Sequence, residues 1–212
     1  MRLKKVKGAL EKIQASSYYV NNPETVKGNW NNIFENNKPI HIEIGMGKGQ
    51  YIINMAQKYP NINFIGIEMY DSVLVRAVQT LEKLENNLNN LRLILVDAKK
   101  VDEIFDKEID VIYLNFSDPW PKAKHAKRRL TSIIFLEKYE KIFKSKREII
   151  MKTDNANLFN FSVENLQNFG YNLIEMTNDL ESLNDYNNVL TEYESKFMEE
   201  GIKINRLKAV KL

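Results

Sequence analysis

Length, composition and charge already exclude several classes of protein. The chain has 212 residues, 43% of them hydrophobic and 28% charged, which suffices for one globular domain with a buried core. It contains no cysteine, so disulfide frameworks, thiolate catalysis, iron–sulfur clusters and sulfur-based zinc sites are excluded. Because there are only two histidines, we also expect no metal site. The net charge of +3 is too small to indicate a nucleic-acid partner unless the positive charges are clustered.

Residues 1–35 are predicted to form a polar N-terminal arm or extension of a single domain that spans residues 1–212. Lys7, Glu11 and Lys12 interrupt any apolar stretch of the kind found in export signals. The longest apolar runs have the length of a β-strand and are far too short to span a membrane. We therefore expect a cytoplasmic protein with no membrane association, and the sequence leaves monomer and homodimer undecided.

Short apolar runs alternate with helical segments along the chain. The predicted strands are residues 39–44, 63–67, 91–96, 110–115, 148–151, 171–176 and 203–210. Periodicity predicts helices over residues 50–58, 72–84 and 191–198, with Asp71 and Thr131 as N-caps of helices. Five successive strand–helix steps predict an α/β fold: a Rossmann-like, doubly wound, mostly parallel seven-stranded sheet with helices on both faces.

A glycine-rich loop follows the first predicted strand. Glu43 is followed by Gly45, Gly47 and Gly49 in a G-x-G-x-G pattern, whose glycines allow a sharp turn and a close ligand approach. The pattern differs from the G-x-G-x-x-G of dinucleotide-binding proteins, in which a pyrophosphate lies on the helix N-terminus. This spacing therefore argues against a nicotinamide-dependent oxidoreductase and favours a ligand without phosphates.

Two further acids follow the next two strands. Glu68 lies about 20 residues beyond the glycine loop, where ribose hydroxyls are bound in related folds, and Asp97 ends the third strand. Because ligands of open α/β sheets bind at the carboxyl ends of the strands, Glu43, Glu68 and Asp97 are expected to line one crevice. Acids in these positions can alternatively be simple helix caps, but the loop and the acids occur in the order that a nucleotide-type site requires.

The fourth predicted strand leads into the rigid sequence Asp118-Pro119-Trp120-Pro121, in which two prolines restrict the backbone. Residues 122–129 follow with five fixed positive charges and no acid, which exceeds the net charge of the whole chain. A run of charges is usually a solvated surface. Next to a rigid loop at the carboxyl end of a strand, however, it predicts a surface that binds phosphates.

Together these segments resemble the bacterial tRNA (guanine-N7)-methyltransferases, which are class I S-adenosylmethionine-dependent enzymes. The most specific part is residues 113–122, followed by His125 and residues 127–130; residues 152–155 and 191–194 add support, although both could be ordinary helix caps. The resemblance covers residues 25–210. It implies methyl transfer from S-adenosylmethionine to N7 of the guanine at position 46 in the tRNA variable loop, by in-line displacement, with S-adenosylhomocysteine as product.

The resemblance also implies roles for individual residues. Asp118 would be catalytic. The cofactor would be contacted by Glu43 at its methionine end, Glu68 at the ribose, Asp97 beside the adenine, and also by Gly45, Gly47, Gly49 and Asp118. Substrate-binding residues would be Lys122, Asp154, Thr191, Glu192, Tyr193 and Glu194. RNA-binding residues would be Lys124, His125, Lys127, Arg128 and Arg129.

Two further alternatives remain at this point. A class I methyltransferase acting on another nucleic-acid base would keep the same cofactor residues. A non-catalytic RNA-binding subunit would keep the fold, and cofactor binding would distinguish it from an enzyme.

Overall fold

The computed structural model describes residues 5–183, 185 and 188–212. The seven strands are β1 Ile40–Ile44, β2 Asn63–Glu68, β3 Leu91–Leu95, β4 Ile109–Asn115, β5 Phe143–Thr153, β6 Asn172–Thr177 and β7 Asn205–Lys211. The helices are α1 Ala9–Gln14, α2 Trp30–Phe34, α3 Gln50–Lys58, α4 Asp71–Leu81, α5 Val101–Ile104, α6 Ile133–Ile142, α7 Ala156–Asn168 and α8 Glu192–Glu199. Short 3₁₀ helices lie at Pro23–Val26, Ala98–Lys100, Ala123–Arg128 and Glu181–Leu183.

All seven strands form one sheet in the order β3-β2-β1-β4-β5-β7-β6. The first five strands are parallel to one another, and β7 is antiparallel to both β5 and β6. The predicted doubly wound, mostly parallel seven-stranded α/β sheet is therefore confirmed. Strand order reverses between β1 and β4, and this switch point is where such sheets bind ligands.

Helices cover both faces of the sheet because the central strands are apolar on both sides. On β4, Ile112 and Leu114 pack into the core beneath α2, α5, α6 and α7, whereas Val111 and Tyr113 pack into the core beneath α1, α3 and α4. This alternation follows from the two-residue period of a strand. The continuous apolar sequence of β4 thus has a structural reason, which is burial on both faces.

The described part of the N-terminal segment packs against the domain, although its composition is polar. Tyr18 and Val20 are buried, and the Val20 N–H donates to the carbonyl of Leu93 on β3 (3.0 Å). Trp30 is fully buried, and its indole N–H donates to the carbonyl of Ile104 (3.1 Å). Few apolar residues suffice to attach this segment, because each buries a large area. The single-domain organisation stays a prediction.

Two of the predicted helix caps are wrong by one residue. Asp71 is the first residue of α4, after the N-cap Tyr70, and Ser132 rather than Thr131 precedes α6. The hydroxyl of Thr131 instead lies 2.7 Å from that of Ser162 on α7, so it satisfies a buried polar contact between helices. No helix among the described residues is long and apolar enough to cross a membrane.

Candidate active site

At the switch point of the sheet, a hydrogen bond joins a side chain of β1 to a side chain of β4. The amide nitrogen of Asn115 donates to Oε1 of Glu43 (2.8 Å), and both side chains are buried. Within the described part of the chain, Oδ1 of Asn115 is buried without a hydrogen-bond partner, and Oε2 of Glu43 has none of good geometry, although the backbone N–H of Ile52 in α3 helps to lower the pKa of this carboxyl. Unpaired buried acceptors are costly, so two of them at a switch point indicate a site that accepts donor groups from a ligand.

Burial also determines the protonation of this site. Removal from water raises the pKa of Glu43 to about 8, although the hydrogen bond from Asn115 and the positive charge of Lys152 both lower it. At neutral pH the carboxyl therefore holds its proton when no cation is bound. A cationic ligand group would shift it to the carboxylate form.

The glycine loop joins β1 to α3 and lies against Glu68. Gly45, Gly47 and Gly49 all have positive φ, as the sequence pattern indicates. A Cβ at Gly49 would lie 2.8 Å from that of Ala77, which explains the third glycine by close packing of α4 on the loop. At Gly47 a Cβ would meet nothing within 4 Å, so the space above this residue is open to a ligand.

Glu68 is held by backbone amides at the end of β2. Its carboxylate accepts hydrogen bonds from the N–H groups of Gly47 (3.1 Å), Met69 (2.7 Å) and Tyr70 (3.0 Å). Burial raises the pKa of Glu68, the three amides oppose the increase, and the nearby charge of Asp118 adds to it. The glycine loop, the end of β2 and the loop after β4 therefore meet at one edge of the sheet.

Asp97 follows β3 at the same edge and acts as a helix cap. Its side chain accepts a hydrogen bond from the N–H of Lys99 (2.9 Å) at the start of the Ala98–Lys100 helix. The carboxylate is only partly buried. The structure thus confirms that Asp97 caps a helix, which was the alternative interpretation. The contact of its side chain with adenine stays a prediction.

The loop after β4 is held in an unusual backbone conformation. Phe116 and Trp120 both have positive φ (49° and 42°), which bulky residues rarely adopt and which costs about 1–3 kcal/mol each. The guanidinium of Arg129 donates to the carbonyls of Pro119 (3.0 Å) and Trp120 (3.1 Å) and lies over the ring of Phe161. Arg129 therefore stabilises this loop, a role that its place in a basic run does not indicate.

The remaining residues of the basic run differ in exposure. Lys124, Lys127 and Arg128 are exposed on the Ala123–Arg128 helix, and the guanidinium of Arg128 lies 4.8 Å from the ring centroid of Trp120. His125 meets the same ring edge-on, with centroids 5.8 Å apart. Two of the five predicted RNA-binding side chains thus also contact the ring of Trp120.

Three predicted catalytic or substrate residues are exposed at this edge of the sheet. Asp118 and Lys122 lie on the loop after β4, and Asp154 follows β5. Asn155 next to it caps α7 by accepting from the N–H of Leu158 (2.8 Å), so the predicted cap at this position is confirmed. The carboxylates of Asp118 and Asp154 are therefore free of the capping role and accessible from solvent.

Helix α8 divides the four predicted substrate residues into two pairs. Thr191 and Glu194 are buried and form the predicted capping box. Glu192 and Tyr193 are exposed; Glu192 accepts a hydrogen bond from the ammonium of Lys48 in the glycine loop (2.5 Å). Direct substrate contact is thus open to Glu192 and Tyr193, whereas Thr191 and Glu194 hold the helix.

Sequence reasoning missed several contributors to the site. Asn115 and Lys152 face inward from β4 and β5, and Phe116 and Phe197 pack around Tyr193 with ring centroids 5.8–6.2 Å apart. A buried lysine in an apolar strand was the one available signal, because lysine is almost never fully buried unless it is paired. The described residues contain no cluster of side chains suited to hold a metal ion.

Comparison with known proteins identifies the family. A family model described as "Putative methyltransferase" matches residues 37–207. The tRNA (guanine-N(7)-)-methyltransferase of Oceanobacillus iheyensis is 49% identical over 211 residues, covering 99% of this chain and 98% of the relative. The chain belongs to the tRNA (guanine-N(7)-)-methyltransferase family. Members from Lachnoclostridium phytofermentans (48% identity; 99% and 98% coverage) and Geobacillus sp. strain WCH70 (50%; 97% and 94%) match over the same extent.

Solved structures support the fold of this family member. An antibiotic-related methyltransferase superposes with a TM-score of 0.64 at 16% identity, covering 92% of this chain and 97% of the other. A 16S rRNA (adenine(1408)-N(1))-methyltransferase variant from Catenulisporales acidiphilia, solved with the cosubstrate SAM, gives 0.61 at 12% identity, with coverage of 91% and 92%. At such identities the likeness establishes the methyltransferase fold alone.

Proposed function

We propose that this chain transfers a methyl group from S-adenosylmethionine to N7 of a guanine in tRNA, with position 46 of the variable loop as the target. Family membership at 49% identity over nearly the whole chain supports the activity. The observation that carries the proposal is the meeting of a buried acid, a glycine loop and the exposed Asp118 at the switch point of the sheet. S-adenosylhomocysteine is the expected product.

The residues at the switch point fit this cofactor. The unpaired oxygens of Glu43 and Asn115 are acceptors suited to the amino group at the methionine end. The open space above Gly47 lies beside Glu68, whose carboxylate suits the ribose hydroxyls. S-adenosylmethionine, when bound, supplies a methyl group attached to a positively charged sulfur. Gly45, Gly49 and Asp97 would complete its binding site, and no metal is required.

Asp118 is the proposed catalytic residue. N7 of guanine has a lone pair and no proton, so its attack needs positioning rather than a general base. Methyl transfer moves positive charge into the purine ring, and a carboxylate beside the ring stabilises that charge. At an effective dielectric constant of 20, unit charges about 4 Å apart attract each other by about 4 kcal/mol before desolvation costs. An exposed carboxylate that becomes covered only when RNA binds suits this role.

Guanine recognition and tRNA binding are assigned to the exposed side chains around Asp118. Asp154 can accept hydrogen bonds from N1 and N2 of guanine, which distinguishes guanine from adenine. Glu192, Tyr193 and Lys122 would contact the nucleoside. Thr191 and Glu194 would stabilise the start of α8, which carries Glu192 and Tyr193. Lys124, His125, Lys127 and Arg128 would bind phosphates, and Arg129 would support the loop that carries them.

The test is methyl transfer to unmodified tRNA with labelled S-adenosylmethionine, followed by nucleoside analysis. Label in 7-methylguanosine is expected, and tRNA with adenosine in place of G46 should accept none. Label in another nucleoside would indicate a methyltransferase that acts on a different base. Absence of both methyl transfer and calorimetric cofactor binding would instead indicate an RNA-binding protein that has kept the fold.

A further inference from the structure

A buried ion pair links β5 to helix α8 beside the candidate active site. The ammonium of Lys152 donates to Oε2 of Glu194 at 2.7 Å, and the side chains are 2% and 1% exposed. The same ammonium donates to Oδ1 of Asn188 (2.6 Å) and to the carbonyl of Val189 (2.9 Å). All three donors of the lysine are thus used by α8 and the segment that leads into it.

Glu194 serves two structures at once. It is the third residue of α8 and completes the capping box with Thr191, while its other oxygen accepts from the amide of Asn188 (2.6 Å). A charged group that is buried with all its partners is strongly favoured in a single arrangement, since moving either ion alone leaves an uncompensated charge. The pair therefore fixes the position of the first turn of α8 relative to β5.

That first turn carries exposed side chains that contact the glycine loop and the loop after β4. Glu192 accepts from Lys48, and Tyr193 packs against Phe116 of the loop after β4. On its other side Lys152 is paired in register with Asn115 on β4, and Asn115 donates to Glu43. The charges of Lys152 and Glu43 accordingly affect each other's pKa. One buried ammonium is thus placed between the acid assigned to the cofactor and the helix assigned to the guanosine.

We infer that Lys152 is a positioning residue that holds α8 over the cofactor site so that Glu192 and Tyr193 can meet the guanosine. This inference rests on the proposed function and adds a residue to it. Lys152 is buried with all three donors paired to protein groups, so we expect its main effect to pass through α8, beside the smaller effect of its charge on the pKa of Glu43. Its loss should therefore impair tRNA use more than cofactor binding.

The first variant is Lys152→Met, which keeps the aliphatic length and removes the charge. We expect the KM for tRNA to rise at least tenfold, the Kd for S-adenosylhomocysteine to change less than fivefold, and amide hydrogen exchange to increase in residues 192–199. Lys208→Met is the matched control, because Lys208 is also ion-paired on the sheet, to Glu148, away from the site. It should leave both constants unchanged.

Glu194→Gln tests the same pair from the other side, since glutamine can keep the capping box while it removes the charge and replaces one of the two acceptor oxygens, which face Lys152 and Asn188, by an amide donor. Its KM for tRNA should rise as in Lys152→Met, and the double variant should be no worse than the more impaired single variant.

Additive effects, an unchanged KM, or a parallel weakening of cofactor binding would overturn the inference. Failure of both single variants to fold would assign the pair to stability alone. If the wild type forms no 7-methylguanosine, the proposed function fails, whereas amide exchange still tests the docking of α8.

Discussion

The two sides of the candidate site differ in how their functional groups are held. On the cofactor side, Glu43 and Glu68 are only 2% and 7% exposed and are fixed by Asn115 and by backbone amides. On the RNA side, Asp118 and the charged residues after it are exposed, and Tyr193 is 55% exposed. A small cofactor can be enclosed by groups that are organised in advance, whereas a large RNA must bring its own surface to cover the exposed ones. Substitutions on the cofactor side should therefore alter the free energy of unfolding and its pH dependence. Substitutions on the RNA side should alter only turnover and tRNA binding.

The largest effect is expected at Asp118. Asp118→Ala should lower kcat at least about 10²–10³-fold, as the loss of one group that stabilises transition-state charge does elsewhere. Because the side chain is exposed, the free energy of unfolding should change by no more than about 0.5 kcal/mol. Single-turnover kinetics and urea denaturation measure the two quantities. Asp106→Ala, an exposed aspartate that precedes β4, is the control; equal rates in the two variants would remove Asp118 from catalysis.

The exposed part of the basic run should control how tRNA binding depends on salt. Lys124→Ala combined with Lys127→Ala should reduce the slope of log K against log salt by about 0.7–0.9 for each phosphate that is no longer neutralised. Cofactor binding should be unchanged. The control is the double variant Lys83→Ala with Lys144→Ala, which has the same change in net charge. Both lysines are exposed and lie far from the loop in sequence. An equal slope in both double variants would show that the run is only a solvated surface.

Glu43 should make stability fall as pH rises. Its pKa is raised by burial to about 8 in the folded protein, so between about pH 4.5 and 8 the folded state binds more protons than the unfolded state. Relative to wild type, Glu43→Gln should gain free energy of unfolding across this window, by at most about 1.4 kcal/mol per pH unit, and nothing further above it. Urea denaturation at pH 5, 6.5 and 8 measures the gain.

Glu148 provides the opposite sign for this experiment. Lys146 and Lys208 hold its pKa below the usual value against the effect of burial, so its stabilisation is present above the unfolded pKa and is lost as pH falls through the folded pKa. Glu148→Gln should therefore lose stability relative to wild type at neutral pH and approach it in acid. The same trend in the two glutamine variants would contradict the assignment of Glu43.

The smallest effect is expected where the two sides touch. Lys48 and Glu192 form an exposed ion pair, with side chains 58% and 47% exposed, and such pairs contribute about 0.2–1 kcal/mol. Lys48→Ala should lower the free energy of unfolding by no more than this amount and raise the KM for tRNA by a few-fold. A change as large as that of Lys152→Met would mean that the exposed pair positions α8 as much as the buried pair does.

The amino-acid sequence by itself determined the fold class, the order of the elements and the positions of the motifs. Strands such as β4 and helices such as α3 are encoded by local periodicity, and α3 begins and ends where its pattern indicates. The glycine loop and the acids at strand ends were equally visible, because strand–loop–helix steps place them at a known edge of a parallel sheet. Family motifs then supplied the candidate roles.

Tertiary structure alone decided how individual side chains are used. The sequence places Arg129 in a run of cations and Glu194 beside Tyr193, yet Arg129 binds loop carbonyls and Glu194 is buried against Lys152. The tertiary fold also buries Trp30, which attaches a polar N-terminal segment to the domain. Such contacts join residues that are many positions apart in the chain. Burial and pairing therefore depend on which distant segments meet, and a local pattern carries no record of that.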